Sequence, residues 1–202
     1  GSNKICMGTN AGTNCTGSHA TNIGYFAGIN NVGTNTIMIG QSAGTGNTAD
    51  NIIAIGYQAG FANTGVENTF LGYESGKSNT SGTGNTSFGY KSYDGATTYT
   101  NNSAFGKDTL GSLTTGGFYN DNTAVGSDSG GNNLALGGFA AAGGVGGGIS
   151  SGSNNTVLGT FAANDFNYTG SNNTMIGYDA EGTAAGASNE FTLGNSSIAT
   201  LR

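Results

Sequence analysis

Residues 35–66 contain the pattern that decides the fold. They form two consecutive blocks of 16 residues, NTIMIGQSAGTGNTAD (35–50) and NIIAIGYQAGFANTGV (51–66). In both blocks an Asn precedes a short apolar run, the run ends at a Gly, and a segment rich in Gly, Ala and Ser follows. A fixed period of this size is typical of a solenoid, in which each repeat forms one coil and stacks on the next.

The same pattern, an apolar residue followed by Gly, recurs along the whole chain. The repeat glycines are Gly8, Gly24, Gly40, Gly56, Gly72, Gly89, Gly106, Gly126, Gly137, Gly159, Gly177 and Gly194. Their spacing is 16 or 17 residues in the first half and varies from 11 to 22 afterwards. We therefore expect regular solenoid repeats over 3–111 and irregular repeats with loop insertions over 112–194. Residues 1–2 are interpreted as the remnant of a cleaved tag.

Composition narrows the function. The chain has 202 residues, 40 of them Gly and none Pro, and a formal net charge of −6 with only five Lys plus Arg. A chain with so few Lys and Arg residues lacks the basic surface that binding a nucleic-acid phosphate backbone requires, so we expect no nucleic-acid partner. No apolar stretch reaches the length of a membrane span, so we expect no membrane insertion.

The apolar runs predict short strands. The residue directly before the repeat glycine is apolar in all twelve repeats. The residue three positions before the glycine is Thr, Ser or apolar, and the residue two positions before it is mostly apolar. We expect an all-β fold, a parallel β-roll or β-solenoid of about twelve coils with two short strands per coil. The column that contains Ile55 is the expected core. A strand that is apolar on both faces is buried on both, so we expect another chain to cover the second face.

The repeat resembles those of known fibrous proteins. Asn35-Thr36-Ile37-Met38-Ile39-Gly40 resembles the head repeats of YadA-like trimeric autotransporter adhesins, and Asn172-Asn173-Thr174-Met175-Ile176-Gly177-Tyr178 resembles repeats of viral and phage tail-fibre proteins. The end of the chain, 189–202, looks like the junction before an endosialidase-type intramolecular chaperone, so 195–202 is interpreted as a junction to that domain. The resemblance implies a left-handed coil, a homotrimer, and a location in a virion tail fibre or on an extracellular surface.

Few residues suggest catalysis. His19 is the only histidine and takes a corner position that Asn occupies in other repeats. The carboxylates are sparse, and the Gly-rich segment 143–148 lacks the Lys-Ser/Thr of a phosphate loop. We expect no enzyme activity, no cofactor and no metal.

Three functions are compatible with the sequence. The first is a non-enzymatic structural and adhesive segment of a trimeric fibre. The second is an ice-binding solenoid, which the Thr column suggests and the sharing of its face with the expected core disfavours. The third is a polysaccharide-cleaving spike whose acids assemble between chains.

Receptor binding is expected where inserted loops combine aromatic rings with hydrogen-bonding groups, which suits a host-surface glycan or protein. The candidate residues are Tyr93, Asp94, Tyr99, Phe118, Tyr119, Asp121, Phe166 and Tyr168. Tolerated loop drift is an alternative explanation for these insertions. A tyrosine that follows several repeat glycines, as at Tyr57 and Tyr73, is either a packing ladder or a ribbon of rings for sugars.

Two cysteines, Cys6 and Cys15, are separated by eight residues. This spacing matches neither a Cys-x-x-Cys redox pair nor a metal knuckle. Free thiols and a local disulfide both remain open.

Overall fold

The computed structural model describes residues 3–95, 97–111, 120, 122–127, 133–136, 148–149, 154–163 and 167–197. Over these residues the chain is a parallel β-solenoid without a helix, and no segment could cross a membrane as a helix. The strands are β1 Lys4–Met7, β2 Ala20–Ile23, β3 Thr36–Ile39, β4 Ile52–Ile55, β5 Thr69–Leu71, β6 Thr86–Phe88, β7 Ser103–Phe105, β8 Thr123–Val125, β9 Asn133–Leu136, β10 Gly148–Ile149, β11 Asn155–Leu158, β12 Asn167–Tyr168, β13 Thr174–Ile176 and β14 Phe191–Leu193.

Twelve of these strands form one parallel sheet. Its order is β1 to β9 in sequence, then β11, β13 and β14, while β10 pairs with β12 in a separate two-stranded sheet. The register aligns equivalent positions of successive repeats, so that Ile39 lies beside Ile55 and Ile55 lies beside Leu71. The predicted all-β parallel solenoid is therefore confirmed, and every predicted repeat contributes one strand to the sheet.

The expected second strand is absent from the regular coils, over the described residues 3–95 and 97–111, where the segment after each repeat glycine, for example 41–46, consists of turns. Ser42 and Gly44 both have positive φ, 56° and 57°, and a left-handed backbone cannot continue an extended strand. The segment still bonds from coil to coil, since the Gly44 N–H donates to the Ala59 carbonyl at 2.9 Å. In the irregular repeats β10 and β12 form a short second strand that pairs from coil to coil.

The repeat glycines are required for this stacking. From Gly8 to Gly177 those described have φ between 122° and 143°, a region that only glycine readily occupies. A Cβ on Gly56 would lie 2.2 Å from the carbonyl oxygen of Gly72 in the next coil. The coils therefore touch backbone to backbone along this column.

The core column differs from the prediction. The middle residue points into the coil and is fully buried in most strands, as at Met38, Ala54 and Phe70, whereas Cys6 in β1 is exposed and Thr192 in β14 is half-buried. Ile53 is 37% exposed and Ile55 is half-buried, so the Ile55 column lies on the opposite, outward side of the sheet. The expectation that one face is buried within the chain and the other is not is confirmed, but the two faces were assigned the wrong way round.

The asparagines before the strands have two separate roles. The first of each pair forms the corner in a left-handed conformation, as at Asn101 with φ 58° and Asn154 with φ 58°. His19 takes the same conformation with φ 54°, which confirms it as a corner residue. The second of each pair, Asn102 or Asn155, is buried inside the coil.

Buried asparagines are joined into ladders along the solenoid. Asn47 Nδ2 donates to Asn31 Oδ1 at 2.8 Å, Asn63 Nδ2 to Asn47 Oδ1 at 3.1 Å, and Asn79 Nδ2 to Asn63 Oδ1 at 2.6 Å. We call residues 31, 47, 63 and 79 the inner Asn ladder. Burial of an amide is costly without hydrogen-bond partners, so each ladder stabilises the stacking register in which the buried amides bond one another.

The glycine column gives a direct test of the stacking. Gly56→Ala places a methyl group against the next coil and forces alanine to φ 136°, so we expect a loss of stability of at least about 1–3 kcal/mol from the backbone conformation alone. Thermal and urea unfolding measure it. Gly186→Ala is the matched control, because the nearest atom to its Cβ is Thr169 Oγ1 at 3.8 Å. Equal stability of the two variants would contradict the proposed stacking.

Candidate functional site

The outward side of the twelve-stranded sheet is a strip of exposed and half-buried side chains, which we call the outer face. It consists of the side chains one and three positions before the repeat glycines. Its described members are Ile5, Met7, Thr21, Ile23, Ile37, Ile39, Ile53, Ile55, Thr69, Leu71, Thr86, Phe88, Ser103, Phe105, Thr123, Val125, Thr156, Leu158, Thr174, Ile176, Phe191 and Leu193.

Large apolar side chains on the outer face are exposed to an unusual degree. Phe88 is 53% exposed, Phe105 40% and Leu158 43%. None of the members just named is charged. A monomeric protein rarely keeps a contiguous apolar patch larger than a few hundred Å² in contact with water, so the outer face has the character of an interaction surface.

The outer face is long and narrow. Twelve strands at the spacing of a β-ladder extend over about 50 Å, and two columns of side chains are about 10 Å wide. The strip therefore covers about 500 Å², including a column rich in Thr and Ser. The largest apolar patch of a monomer is usually about 300–600 Å² and is often functional. Equivalent side chains are also aligned in rows across the sheet, because each strand pairs with the equivalent positions of the next.

A tyrosine column borders the outer face on the side where the strands end. The rings of Tyr57 and Tyr73 are stacked with centroids 5.0 Å apart, and those of Tyr73 and Tyr90 are stacked at 5.1 Å. Beyond Tyr90 the ammonium groups of Lys91 and Lys107 lie 5.8 and 6.0 Å from its ring centroid. The ring faces inside the stack are therefore covered, which favours a packing ladder over a ribbon of rings for sugars.

A groove links this border to the outer face near the end of the sheet. It has a volume of about 360 Å³ and is lined by Ile176, Gly177, Tyr178, Leu193, Gly194 and Asn195. Tyr178 is 62% exposed and Leu193 37%. The apolar surface thus continues around the corner of the coil.

The first predicted receptor loop contributes its rings to the core. Tyr93 is fully buried, and its hydroxyl donates to the Tyr99 carbonyl at 2.8 Å and accepts from Asn102 Nδ2 at 3.1 Å. Tyr99 is only 9% exposed. Neither ring can stack on a ligand in this arrangement, which corrects the expectation that the loop presents them at the surface. Asp94 is half-buried and remains a candidate.

Four of the remaining five candidates lie outside the described ranges, namely Phe118, Tyr119, Asp121 and Phe166. The backbone of Tyr168 belongs to β12 and pairs with Ile149 of β10. The receptor role of these residues stays a prediction.

The charged groups nearest the tyrosine column neutralise one another. Glu74 bonds Lys77 at 2.7 Å and lies 3.6 Å from Lys91, and the hydrogen bond from Lys77 lowers the pKa of the Glu74 carboxyl. Lys107 pairs with Asp108. Within the described ranges, no group of three or more His, Cys, Asp or Glu side chains could hold a metal ion.

Comparison with protein-family models, with curated proteins and with solved structures finds no match for this chain. The resemblance to trimeric adhesin heads and tail fibres therefore stays a prediction. The outer face is the feature that sequence reasoning misplaced, although the sequence carried a usable signal. The middle strand position favours small residues such as Ala54, Ser87 and Ala104, which fit inside a narrow coil.

Asp94 provides a test by pH. Burial raises the pKa of its carboxyl above the ordinary value of 3.8, because the charged form loses hydration in the fold. The neutral form thus favours folding, and stability falls as the pH rises through and above 3.8 until the folded carboxyl has ionised. We expect Asp94→Asn to raise the free energy of unfolding at pH 7 and to lose this advantage below pH 3.8, as measured by urea unfolding at a series of pH values.

Glu190→Gln is the control of opposite sign. The hydroxyl and backbone N–H of Thr183 donate to the Glu190 carboxylate and lower its pKa, so this substitution should reduce stability at pH 7. A decrease in stability for Asp94→Asn at pH 7 would contradict the burial of its carboxyl.

Proposed function

We propose that this chain is a non-enzymatic structural and adhesive segment of a homotrimeric fibre that attaches a virus or phage to a host surface. The observation that carries the proposal is the uncharged outer face, which runs the length of the sheet and whose large apolar side chains are left partly exposed by the part of the chain that the structure describes. The solenoid supplies length and rigidity. A host-surface glycan or protein is the receptor, and the inserted loops are the candidate contacts.

The period of the outer face favours another copy of this chain as the partner that covers it. A covering surface must match a ladder that repeats at every coil, with bulky rings at Phe88 and Phe105 and aliphatic side chains at Ile39 and Ile55. A copy that runs in the same direction presents the same side chain at every level. The proposed assembly is therefore parallel and in register, with identical coils facing one another.

The energy available is sufficient for association. Ten large apolar side chains of the outer face are between 37% and 66% exposed, namely Ile5, Met7, Ile37, Ile53, Phe88, Phe105, Val125, Leu158, Phe191 and Leu193. Covering the exposed half of each contributes about 1 kcal/mol, or on the order of 10 kcal/mol per chain. The three chains of a trimer together gain on the order of 30 kcal/mol, against about 8–30 kcal/mol for two association steps, so a trimer that covers each outer face is expected to be stable.

The number three comes from the resemblance of the repeats to trimeric fibres and adhesin heads. A sheet that packs on two neighbours around a threefold axis leaves the turns of each coil on the outside. The loops inserted at those turns then face the surroundings, where a receptor is met. This arrangement assigns rod and receptor functions to different sides of one coil.

Ice binding is the second candidate, and the structure removes the reason for disfavouring it. The Thr column, including Thr69, Thr86 and Thr174, lies on the outer face and not in the core. The neighbouring column contains Leu71, Phe88 and other side chains of unequal size, which interrupt the flat array that an ice lattice requires. A thermal hysteresis assay on the assembled protein distinguishes the two, since a fibre that covers this face leaves no array for ice.

Light scattering tests the fibre proposal. The chain has a mass of 19.9 kDa, so the trimer is expected at about three times that value. Ile55→Lys places a charge in the centre of the outer face, and we expect it to give monomers that retain the β-sheet signal in circular dichroism, because Ile55 lies outside the core. Thr48→Lys, at an exposed position outside the strands, is the matched control and should stay trimeric.

A monomeric unmodified chain would contradict the proposal. So would an Ile55→Lys variant with the full assembled mass. Ala54→Asp serves as the reference for an unfolded chain, since it places a carboxylate in the buried column.

A further inference from the structure

Two inward-facing columns begin with a cysteine. Cys6 occupies the middle position of β1, and the next residues in that column, Asn22 and Met38, are fully buried. Cys15 precedes by 16 residues the first member of the inner Asn ladder, Asn31, whose Nδ2 lies 3.8 Å from Cys15 Sγ. Both thiols therefore point toward the interior of the same coil.

The two thiols meet at one amide group. Asn22 Nδ2 lies 3.7 Å from Cys6 Sγ and 3.8 Å from Cys15 Sγ, so the two sulfur atoms are at most 7.5 Å apart. Gly12 lies close to both cysteines. A Cβ at Gly12 would be 2.4 Å from Cys6 Sγ, and the Cys15 N–H donates to the Gly12 carbonyl at 3.0 Å. The Cys6 thiol thus reaches across the coil to the turn that carries Cys15.

Asn22 itself is out of place in an apolar column. It stands where later coils have Met38, Ala54 and Phe70, and it is fully buried. Its Oδ1 is one of the two buried side-chain atoms in the described part of the chain without a hydrogen-bond partner. A buried polar group with one unmatched oxygen is costly, and the amide N–H groups of Asn22 offset part of that cost by donating to the sulfur atoms of Cys6 and Cys15.

We propose that Cys6 and Cys15 form an intramolecular disulfide that closes the first coil. Both are free thiols in this structure, Cys6 exposed and Cys15 half-buried, so an oxidant has access to Cys6. Rotation of a cysteine about its Cα–Cβ bond moves the sulfur by about 3 Å, so rotation of both side chains can bring the sulfurs closer by up to about 6 Å. The covalent bond needs Cβ atoms about 3.5–4.5 Å apart, so the proposal requires that the turn at Gly12 brings the two Cβ atoms to that separation.

The reaction is a thiol–disulfide exchange with a small disulfide such as oxidised glutathione. The Cys6 thiolate attacks one sulfur of the oxidant, which breaks its disulfide, forms a mixed disulfide and releases one glutathione thiolate. The Cys15 thiolate then attacks the Cys6 sulfur and releases the second. The two cysteines are oxidised, the oxidant is reduced to two thiols, and the protons from both cysteines pass to the released thiolates.

The cross-link would stabilise the coil locally. It closes a loop with eight residues between the cysteines and removes freedom from the opened state. The Gly12 N–H, which donates to the Ala27 carbonyl of the next coil at 2.8 Å, lies inside that loop. Its exchange with solvent should slow by about tenfold or more after oxidation, because opening of the coil is restricted.

The experiment incubates the full chain with a graded series of reduced and oxidised glutathione. We expect the intact mass to fall by two hydrogen atoms, both thiols to become unreactive to a thiol reagent, and a peptide that joins Cys6 to Cys15 to appear after digestion without reduction. Cys6→Ser and Cys15→Ser are matched controls, and each should instead keep a glutathione adduct. Hydrogen exchange over 8–14 provides the second readout.

Two outcomes overturn the proposal. One is a chain that keeps two reactive thiols, or two glutathione adducts, under conditions that oxidise a model dithiol. The other is a disulfide that joins separate chains. None of these readouts depends on the proposed trimer, because mass and peptide mapping after denaturation report on the bonds within one chain.

Discussion

Close contact between the backbones of successive coils is the constraint on which the rest of the structure depends. Along the repeat glycines the carbonyl of the next coil stands where a Cβ would be, as between Gly56 and Gly72. This contact and the parallel hydrogen bonds fix the rise per coil, so equivalent residues stack directly on one another. The inner Asn ladder and the stack of Tyr57, Tyr73 and Tyr90 follow from the same repeat geometry.

The same constraint explains why the chain cannot bury all of its apolar residues. The interior of a coil of about sixteen residues is narrow. Only one column of each strand points inward, often with a small residue such as Ala54 or Ala104, and buried asparagines such as Asn47 occupy other inward positions. The other apolar columns must face outward. A protein that repeats such a strip at every coil has a surface suited to a partner of the same period, which is the physical basis of the proposed fibre.

Much of the fold could be predicted because the same residue pattern recurs in repeat after repeat. The sixteen-residue period, the strand in each repeat and the left-handed corners at residues such as His19 and Asn101 follow from residue types at fixed spacing. The inward face could not be assigned by alternation alone, since Ala54 and Ile55 are both apolar. Side-chain volume is the remaining signal, because the inward column often contains a small residue such as Ala54 or Ala104, although Met38 and Phe70 lie in it as well. Tyr93 and Tyr99 were misplaced for a related reason, since aromatic residues next to Asp94 suggest a binding loop although the coil needs their rings as core.

The most direct test of the account is the distance between equivalent points on neighbouring chains at two levels of the rod. Cys6 and Cys15 are first replaced by Ser, and a single spin label is placed either at Thr48 or at Thr169, both exposed and far apart along the solenoid. If the outer faces of parallel, in-register chains cover one another, electron spin resonance should give the same inter-chain distance at both levels. Distances that differ strongly between the two sites, or no inter-chain coupling at either, would contradict the covering of the outer face by copies of this chain.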